Sequence, residues 1–200
     1  MKKIFLSALP VMAIAVMTLS HVSDPLSIGS PVPKPDLKMK DISGKEVSFS
    51  DAMKKNGLLV MFSCNTCPVV KKYQPRTNQI CQYALDNSFG VVLLNPNEAY
   101  RTDGDSYDDM KDYGKKENYK WYYVVDKNSV MADAFGASRT PEVFLFNKEG
   151  KLAYHGAIDD NQNNGDEARK HLKIAMEELM SGKDVAVKTS RSVGCSIKRL

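Results

Sequence analysis

The sequence has few of the residues that build metal sites. It contains four cysteines and three histidines, and only one pair of cysteines, Cys64 and Cys67, is close together along the chain. A structural zinc site needs four ligands in tetrahedral geometry, and no second close pair is present to complete one. The sequence therefore argues against a zinc-binding domain and leaves the cysteine pair to be explained in another way.

An excess of positive charge is also missing from the main part of the chain. The formal net charge is +4, but Lys2, Lys3 and the basic segment 183–200 account for more than this and leave residues 21–182 at about −2. Surfaces that bind nucleic acid need clustered Lys and Arg side chains. We therefore expect no nucleic-acid partner, although the basic tail can make weak contact with an anionic membrane surface.

Long apolar runs are confined to the N-terminus. Lys2 and Lys3 precede an apolar run from Ile4 to Leu19, and small residues follow at its end. This pattern is typical of a secretory signal peptide, residues 1–20, that is cleaved near Ser20. The run is shorter than the roughly 20 residues that span a bilayer comfortably. We expect a periplasmic or otherwise exported protein, which would be membrane-anchored if the leader were retained.

The most informative stretch is Cys64-Asn65-Thr66-Cys67-Pro68, which follows the apolar run 58–62 and precedes a helical pattern. Unpaired N–H groups and the dipole at a helix start stabilise a thiolate. Outside the cytosol a disulfide can persist, but one that links positions i and i+3 closes too short a loop to stabilise a fold. The pair is therefore predicted to be a catalytic redox centre.

The remaining sequence predicts one α/β domain, residues 36–182, between a Ser- and Pro-rich linker, 21–35, and the basic tail, 183–200. Apolar runs alternate with amphipathic patterns, which predicts a central mixed sheet with helices on both faces and an N-terminal β-hairpin extension. The predicted elements are a hairpin (37–39 and 47–49), helices (52–56, 69–85, 105–117, 129–135 and 168–179) and strands (58–62, 91–94, 121–125, 142–146 and 151–154).

The pair Cys64-x-x-Cys67 after a strand, and Thr140-Pro141 before the next sheet hairpin, resemble the thioredoxin-like fold over roughly residues 30–182. Within that fold the chain looks most like the redoxin branch related to alkyl hydroperoxide reductase and thiol-specific antioxidant proteins. Further motifs carry this second resemblance: the N-terminal hairpin, Asn95-Pro96-Asn97-Glu98, Ile158-Asp159-Asp160-Asn161 and Gly194-Cys195-Ser196-Ile197-Lys198.

The resemblance implies a thiol:disulfide oxidoreductase that acts on protein thiols and disulfides and needs no cofactor. Cys64 would be the attacking thiol. From the position of the pair at the helix start we also expect Cys64 to be the more exposed thiol and Cys67, one turn away, to resolve the mixed disulfide. Pro141 would be a cis proline beside the sulfurs, where the backbone of Thr140 and Pro141 could bind a partner's extended chain. Whether the protein reduces or oxidises its partners depends on reduction potentials that a sequence does not give.

Two departures from related families affect this prediction. Thioredoxins usually carry an aromatic residue before the first cysteine and a buried acid in the preceding strand, whereas this chain has Ser63 and only apolar residues, so Glu142 or water is the candidate for proton transfer. A thiol peroxidase, the alternative enzyme, needs Thr or Ser three residues before its reactive cysteine and an arginine near position 141. With Cys67 in that role, position 64 would be a cysteine and the arginine would be missing.

The other cysteines and one histidine leave several interpretations open. A copper-binding thioredoxin-like protein would combine Cys64 and Cys67 with His155, although a simple loop histidine is the commoner interpretation. Cys81 falls on the apolar face of a helix and is predicted to be a buried, inert thiol. Cys195, in the accessible tail, could resolve or cap Cys64 or Cys67, pair with another chain, or remain unpaired.

Overall fold

A computed structural model describes residues 24–163 and 169–200, and the predicted leader lies outside them. The strands are β1 (Met39–Lys40), β2 (Glu46–Val47), β3 (Gly57–Phe62), β4 (Phe89–Asn95), β5 (Tyr122–Val125), β6 (Arg139–Thr140), β7 (Glu142–Phe146), β8 (Leu152–Gly156) and β9 (Cys195–Ser196). The α-helices are α1 (Phe49–Ala52), α2 (Pro68–Asp86), α3 (Tyr107–Lys116), α4 (Val130–Phe135) and α5 (His171–Met180). Short 3₁₀ helices cover Glu98–Tyr100 and Lys127–Ser129.

Five strands form the central sheet in the order β5-β4-β3-β7-β8. β3, β4 and β5 run parallel, whereas β7 and β8 join as antiparallel strands. Every residue of β3 is buried, as expected for a central strand that is apolar throughout and covered on both faces. β1 and β2 pair as an antiparallel hairpin. The predicted mixed sheet and its hairpin extension are confirmed.

The helices divide between the two faces of this sheet. Leu59 and Met61 point into a core shared with α2 and α5, whereas Leu58, Val60 and Phe62 point into a second core with α1 and α4. Successive side chains of a strand point to opposite faces, so one apolar strand supplies both cores. The prediction of helices on both faces is confirmed.

Helix α1 begins earlier than the sequence suggested. The predicted helix 52–56 would be capped by Ser50 or Asp51, but the actual N-cap is Ser48. The Asp51 side chain accepts the Ser48 backbone N–H at 2.8 Å in a reciprocal capping box. The predicted helix 52–56 therefore lies mostly beyond the actual one. Helix α2 begins at Pro68, one residue before the start predicted for it, and includes Pro75.

Both ends of the described chain pack against the domain. In the segment predicted to be a linker, the Leu26 N–H donates to the Phe135 carbonyl at 2.9 Å, and Val32 is buried. In the tail, Val185 joins the core beside α5 and Ile197 joins the core beside α4. Among residues 24–163 and 169–200, no helix combines the length and apolar character that a membrane span requires.

Candidate active site

The two close cysteines lie in the loop between the end of β3 and the start of α2. Cys67 is the N-cap of α2 and Pro68 is its first residue, a position where the missing N–H of proline costs nothing. Cys64 is 0% exposed and Cys67 is 3% exposed. The expectation that Cys64 is the more exposed thiol is therefore wrong, because Thr140 contacts its sulfur and Cys195 packs against the same cluster.

Thr140 contacts both sulfur atoms of the pair. Its Oγ1 lies 3.3 Å from Cys64 Sγ, and its carbonyl oxygen lies 3.4 Å from Cys67 Sγ. The Thr140–Pro141 peptide bond is cis. The structure thus brings Cys64, Cys67, Thr140 and Pro141, which the sequence singled out, to one place.

Cys67 forms a disulfide with Cys195, 128 residues further along the chain, and Cys64 and Cys81 remain free and buried. Of the roles left open for Cys195, the structure selects a bond to the second cysteine of the pair. In this state Cys67 carries no proton, so its approach to the Thr140 carbonyl is a contact. A reduced Cys67 thiol at the same position can donate a hydrogen bond to that oxygen.

Cys195 reaches this place as part of a short strand. β9 pairs antiparallel with β6, with Cys195 opposite Thr140 and Ser196 opposite Arg139. One residue further on, the Ile197 N–H donates to the Ser138 carbonyl at 3.0 Å. A Cβ at position 194 would collide with the Thr140 carbonyl, so the close approach of the tail requires glycine there.

The Cys64 thiol lies in an environment that favours its neutral form. Burial raises the pKa of Cys64, and the negative charge of Asp105 raises it further. Hydrogen bonds from the Thr140 hydroxyl and the Cys67 N–H act in the opposite direction and lower this pKa, but burial dominates. The stabilised thiolate expected from the helix start is therefore not favoured in this environment.

Asp105 is the main residue of the site that sequence analysis did not identify. Its carboxylate is fully buried and accepts four hydrogen bonds. The donors are Asn65 N (2.7 Å), Thr66 Oγ1 (2.8 Å), Asn95 Nδ2 (2.8 Å) and Asn97 Nδ2 (3.0 Å). At the start of the helix predicted over 105–117, either Asp105 or Ser106 could serve as the cap, and Ser106 is the actual cap of α3. The signal that could have revealed it is the pair of asparagines at the carboxyl end of the buried strand β4.

A second layer of hydrogen bonds supports the Cys64–Cys67 loop. Tyr123 donates its hydroxyl to Asn65 Oδ1 at 2.8 Å and accepts from Asn95 Nδ2 at 3.2 Å. Burial raises the pKa of Tyr123 well above its ordinary value, so its hydroxyl keeps the proton that it donates. The loop between the cysteines is thereby fixed to the end of β4 and to β5.

Glu142, the suggested group for proton transfer, is engaged elsewhere. One carboxylate oxygen accepts the N–H groups of Ser138 and Arg139 at 2.9 and 3.0 Å, and the other lies 2.7 Å from His155 Nε2. His155, the suggested copper ligand, also stacks on Phe144 with ring centroids 4.3 Å apart. Across the described residues, no group of three or more His, Cys, Asp or Glu side chains is arranged to hold a metal ion.

Cys81 lies on the inner face of α2 and is fully buried. Burial raises the pKa of its thiol far above the ordinary value, which suppresses the reactive thiolate. The position matches the prediction of a buried thiol.

Comparison with known proteins places this site in context. The model of the AhpC/TSA family matches residues 28–155. The thiol-disulfide oxidoreductase ResA of Bacillus subtilis (strain 168) is 29% identical over 118 residues, which cover 59% of this chain and 62% of that protein. The chain thus spans less than two thirds of the length of this curated relative.

Two solved structures show the extent of the structural likeness. An uncharacterised conserved protein from Geobacillus kaustophilus superposes with a TM-score of 0.81 at 28% identity, covering 87% of this chain and 93% of that one. A thioredoxin-like protein in its oxidised form gives a TM-score of 0.61 at 18% identity, covering 79% and 99%. The predicted thioredoxin-like fold is confirmed.

Proposed function

We infer, since the chain belongs to the AhpC/TSA family, that the protein is a thiol:disulfide oxidoreductase that exchanges disulfides with partner proteins through Cys64 and Cys67. The single observation that carries this proposal is the sulfur cluster itself. A free thiol, a disulfide and the Thr140 hydroxyl and carbonyl meet at the start of α2. The ResA relatives, which are named thiol-disulfide oxidoreductases, support the same chemistry.

The proposed reaction begins from the reduced pair. The Cys64 thiolate attacks one sulfur of a partner disulfide, and the other partner sulfur leaves as a thiolate and takes up a proton. Cys67 then attacks Cys64 Sγ of the mixed disulfide, which releases the second partner thiol and leaves a Cys64–Cys67 disulfide. The reverse sequence oxidises a partner dithiol.

Three groups prepare the couple for this exchange. The Thr140 hydroxyl, 3.3 Å from Cys64 Sγ, donates to the thiolate as it forms. Asp105 acts as a positioning residue, because it fixes the backbone N–H of Asn65 between the cysteines. Glu142 holds the N–H groups of Ser138 and Arg139, and so sets the course of the chain into Thr140.

We also propose that the protein is exported, because Lys2 and Lys3 followed by the apolar run Ile4 to Leu19 have the order of a signal peptide. An exported disulfide exchanger would work where disulfides persist. Expression of the full chain in a bacterial host, followed by N-terminal sequencing of the periplasmic fraction, is expected to give a start near residue 21. A protein found only in the cytosol with an intact N-terminus would contradict export.

The proposed function is tested by single-turnover exchange between the reduced protein and a disulfide-linked fluorescent peptide. All variants carry Cys195→Ser, so that only the close pair is measured. Cys64→Ser is expected to lower the rate at least about 100-fold, and Cys67→Ser to accumulate a peptide adduct on Cys64. Cys81→Ala is the matched control and is expected to react at the parent rate. Full activity in the Cys64→Ser variant would refute the assignment.

A further inference from the structure

We propose that Cys195 is a third redox-active cysteine and that the tail strand, residues Gly194–Arg199, occupies the edge at which a partner chain would bind. In the resting oxidised protein, Cys195 is bonded to Cys67, and attack by Cys64 on Cys67 releases the tail and opens the site. This inference rests on the proposed function, and it adds that the protein's own tail competes with partner chains for the active site.

The pairing of β9 with β6 indicates that the tail occupies a partner-binding edge. Extended peptides bind to proteins by adding a strand to an exposed edge, with backbone pairing for affinity and a side chain in a defined place. β9 does this on β6, and it sets Cys195 opposite Thr140, whose carbonyl contacts Cys67. A partner strand paired in this register would place its own cysteine where Cys195 now lies. Tail and partner therefore compete for one edge.

Apart from the disulfide and the pairing with β6, the tail strand is held mostly by polar contacts. The Ala99 N–H donates to the Lys198 carbonyl at 2.9 Å, and Arg199 pairs with Asp133 at 2.8 Å. The Asp133 side chain is 58% exposed, so this ion pair contributes little. Ile197 is the one apolar anchor of the strand and is 7% exposed. Once the disulfide is broken, only non-covalent contacts retain the tail strand, and the proposal requires that a partner strand can replace them.

Asn97 links the tail to the loop between the cysteines. Its Oδ1 accepts the Lys198 N–H at 3.0 Å, and its Nδ2 donates to the Asp105 carboxylate at 3.0 Å. Asp105 in turn accepts the Asn65 N–H within the loop. Binding of the tail and the arrangement of the redox loop thus share one hydrogen-bond chain.

The proposed step conserves atoms and electrons. Cys64 gives up its proton to solvent, and its sulfur attacks Cys67 Sγ. The Cys64–Cys67 bond forms as the Cys67–Cys195 bond breaks, and Cys195 leaves with the electron pair and takes up a proton. No external oxidant is required, because one disulfide replaces another. Cys64 is placed for the attack because it packs in one buried cluster with Cys67 and Cys195, and because Thr140 contacts the sulfur atoms of both Cys64 and Cys67.

The test compares the oxidised full-length protein with two variants. Acid-quenched, non-reducing peptide mapping is expected to find Cys67 bonded to Cys195 in the wild type. In Cys195→Ser it should find Cys64 bonded to Cys67. The second variant, Gly194→Ala, retains every cysteine, but its methyl group would collide with the Thr140 carbonyl. It is expected to reduce the fraction of Cys67–Cys195 bond at least about threefold.

The second measurement is the rate at which the oxidised wild type and the oxidised variants convert a dithiol peptide to its disulfide. Cys195→Ser is expected to oxidise the peptide at least about 10-fold faster than the wild type, because the β6 edge is open from the start. Val193→Ala, an exposed position beside the tail strand, is the control and should match the wild type. Cys195 found free or joined to another chain, or equal rates in the wild type and Cys195→Ser, would overturn the tail inference alone. Absence of exchange in both proteins would instead overturn the proposed function.

Discussion

Replacement of Asp105 by asparagine is expected to destabilise the loop between the cysteines and to lower the pKa of Cys64. The carboxylate accepts two donors on each oxygen: Asn65 N–H and Asn95 on one, Thr66 and Asn97 on the other. An asparagine retains one oxygen and presents an NH₂ group to the other pair of donors. At least one hydrogen bond is then lost, because the new NH₂ group faces another donor at a position where the carboxylate oxygen accepted a hydrogen bond.

The less costly orientation turns the new NH₂ group toward Thr66, because a hydroxyl can rotate and accept. Asn97 has no such freedom, since a flip of its amide would sacrifice the Lys198 N–H that its Oδ1 accepts. A hydrogen bond to a charged group contributes about 1.5–3 kcal/mol. We therefore expect a loss of roughly 2–3 kcal/mol in the free energy of unfolding, or about 4–12 °C in Tm.

The effect on the thiol has a definite sign. The charge of Asp105 raises the pKa of Cys64, so its removal must lower that pKa and increase the thiolate fraction at neutral pH. The assay is the ultraviolet absorbance of the thiolate against pH, in a chain where Cys67, Cys81 and Cys195 are replaced. Asp103→Asn removes an exposed charge from the same segment and serves as the control.

Each half of this prediction can fail separately. A Tm equal to that of the control would show that the four hydrogen bonds do not hold the loop. A pKa of Cys64 that rises, or does not move, would show that Asp105 does not act on the thiol through its charge.

Three further predictions concern other positions. Thr140→Val should raise the pKa of Cys64 and slow alkylation of the reduced protein at neutral pH by about 10-fold, whereas Thr140→Ser should restore both; equal rates would contradict the hydroxyl's role. Burial raises the pKa of Asp126 from 3.8 to about 6. The folded state therefore binds the proton of this carboxyl more tightly than the unfolded state, and the resulting stability is fully present below pH 3.8. That stability is lost as pH rises through the higher value, and urea unfolding should show a fall of up to about 3 kcal/mol that is absent in Asp126→Asn. Arg76→Leu leaves the Asp159 carboxylate, 3% exposed, without its partner at 2.6 Å, and should cost about 3–5 kcal/mol by denaturant unfolding, with partial recovery in Arg76→Lys.

The sheet and its helices could be predicted from local pattern. The apolar run that forms β3 has no polar residue to place on a solvent face, so it had to be central, and α2 begins within one residue of its predicted start. The start of α1 was misplaced because Ser48, Ser50 and Asp51 are all suitable caps, and only the reciprocal bond between Ser48 and Asp51 distinguishes them.

The candidate site was only partly predictable because its decisive contacts join distant residues. The hydrogen bond from Asn65 to Asp105 spans 40 positions, and the bond from Cys67 to Cys195 spans 128. Local sequence patterns do not show which distant residue the tail contacts, and so could not predict the partner of Cys195. The low exposure of Cys64 follows from the same long-range packing, and so could not be predicted from its place at a helix start.

An equilibrium redox titration of the folded protein in a thiol/disulfide buffer tests the central claim most directly. Counting alkylated thiols at each potential should show one reversible two-electron transition, in which two thiols appear while circular dichroism stays unchanged and Cys81 remains unlabelled. A disulfide that is reduced only when the protein unfolds would contradict the account, because the sulfur cluster would then be a structural crosslink.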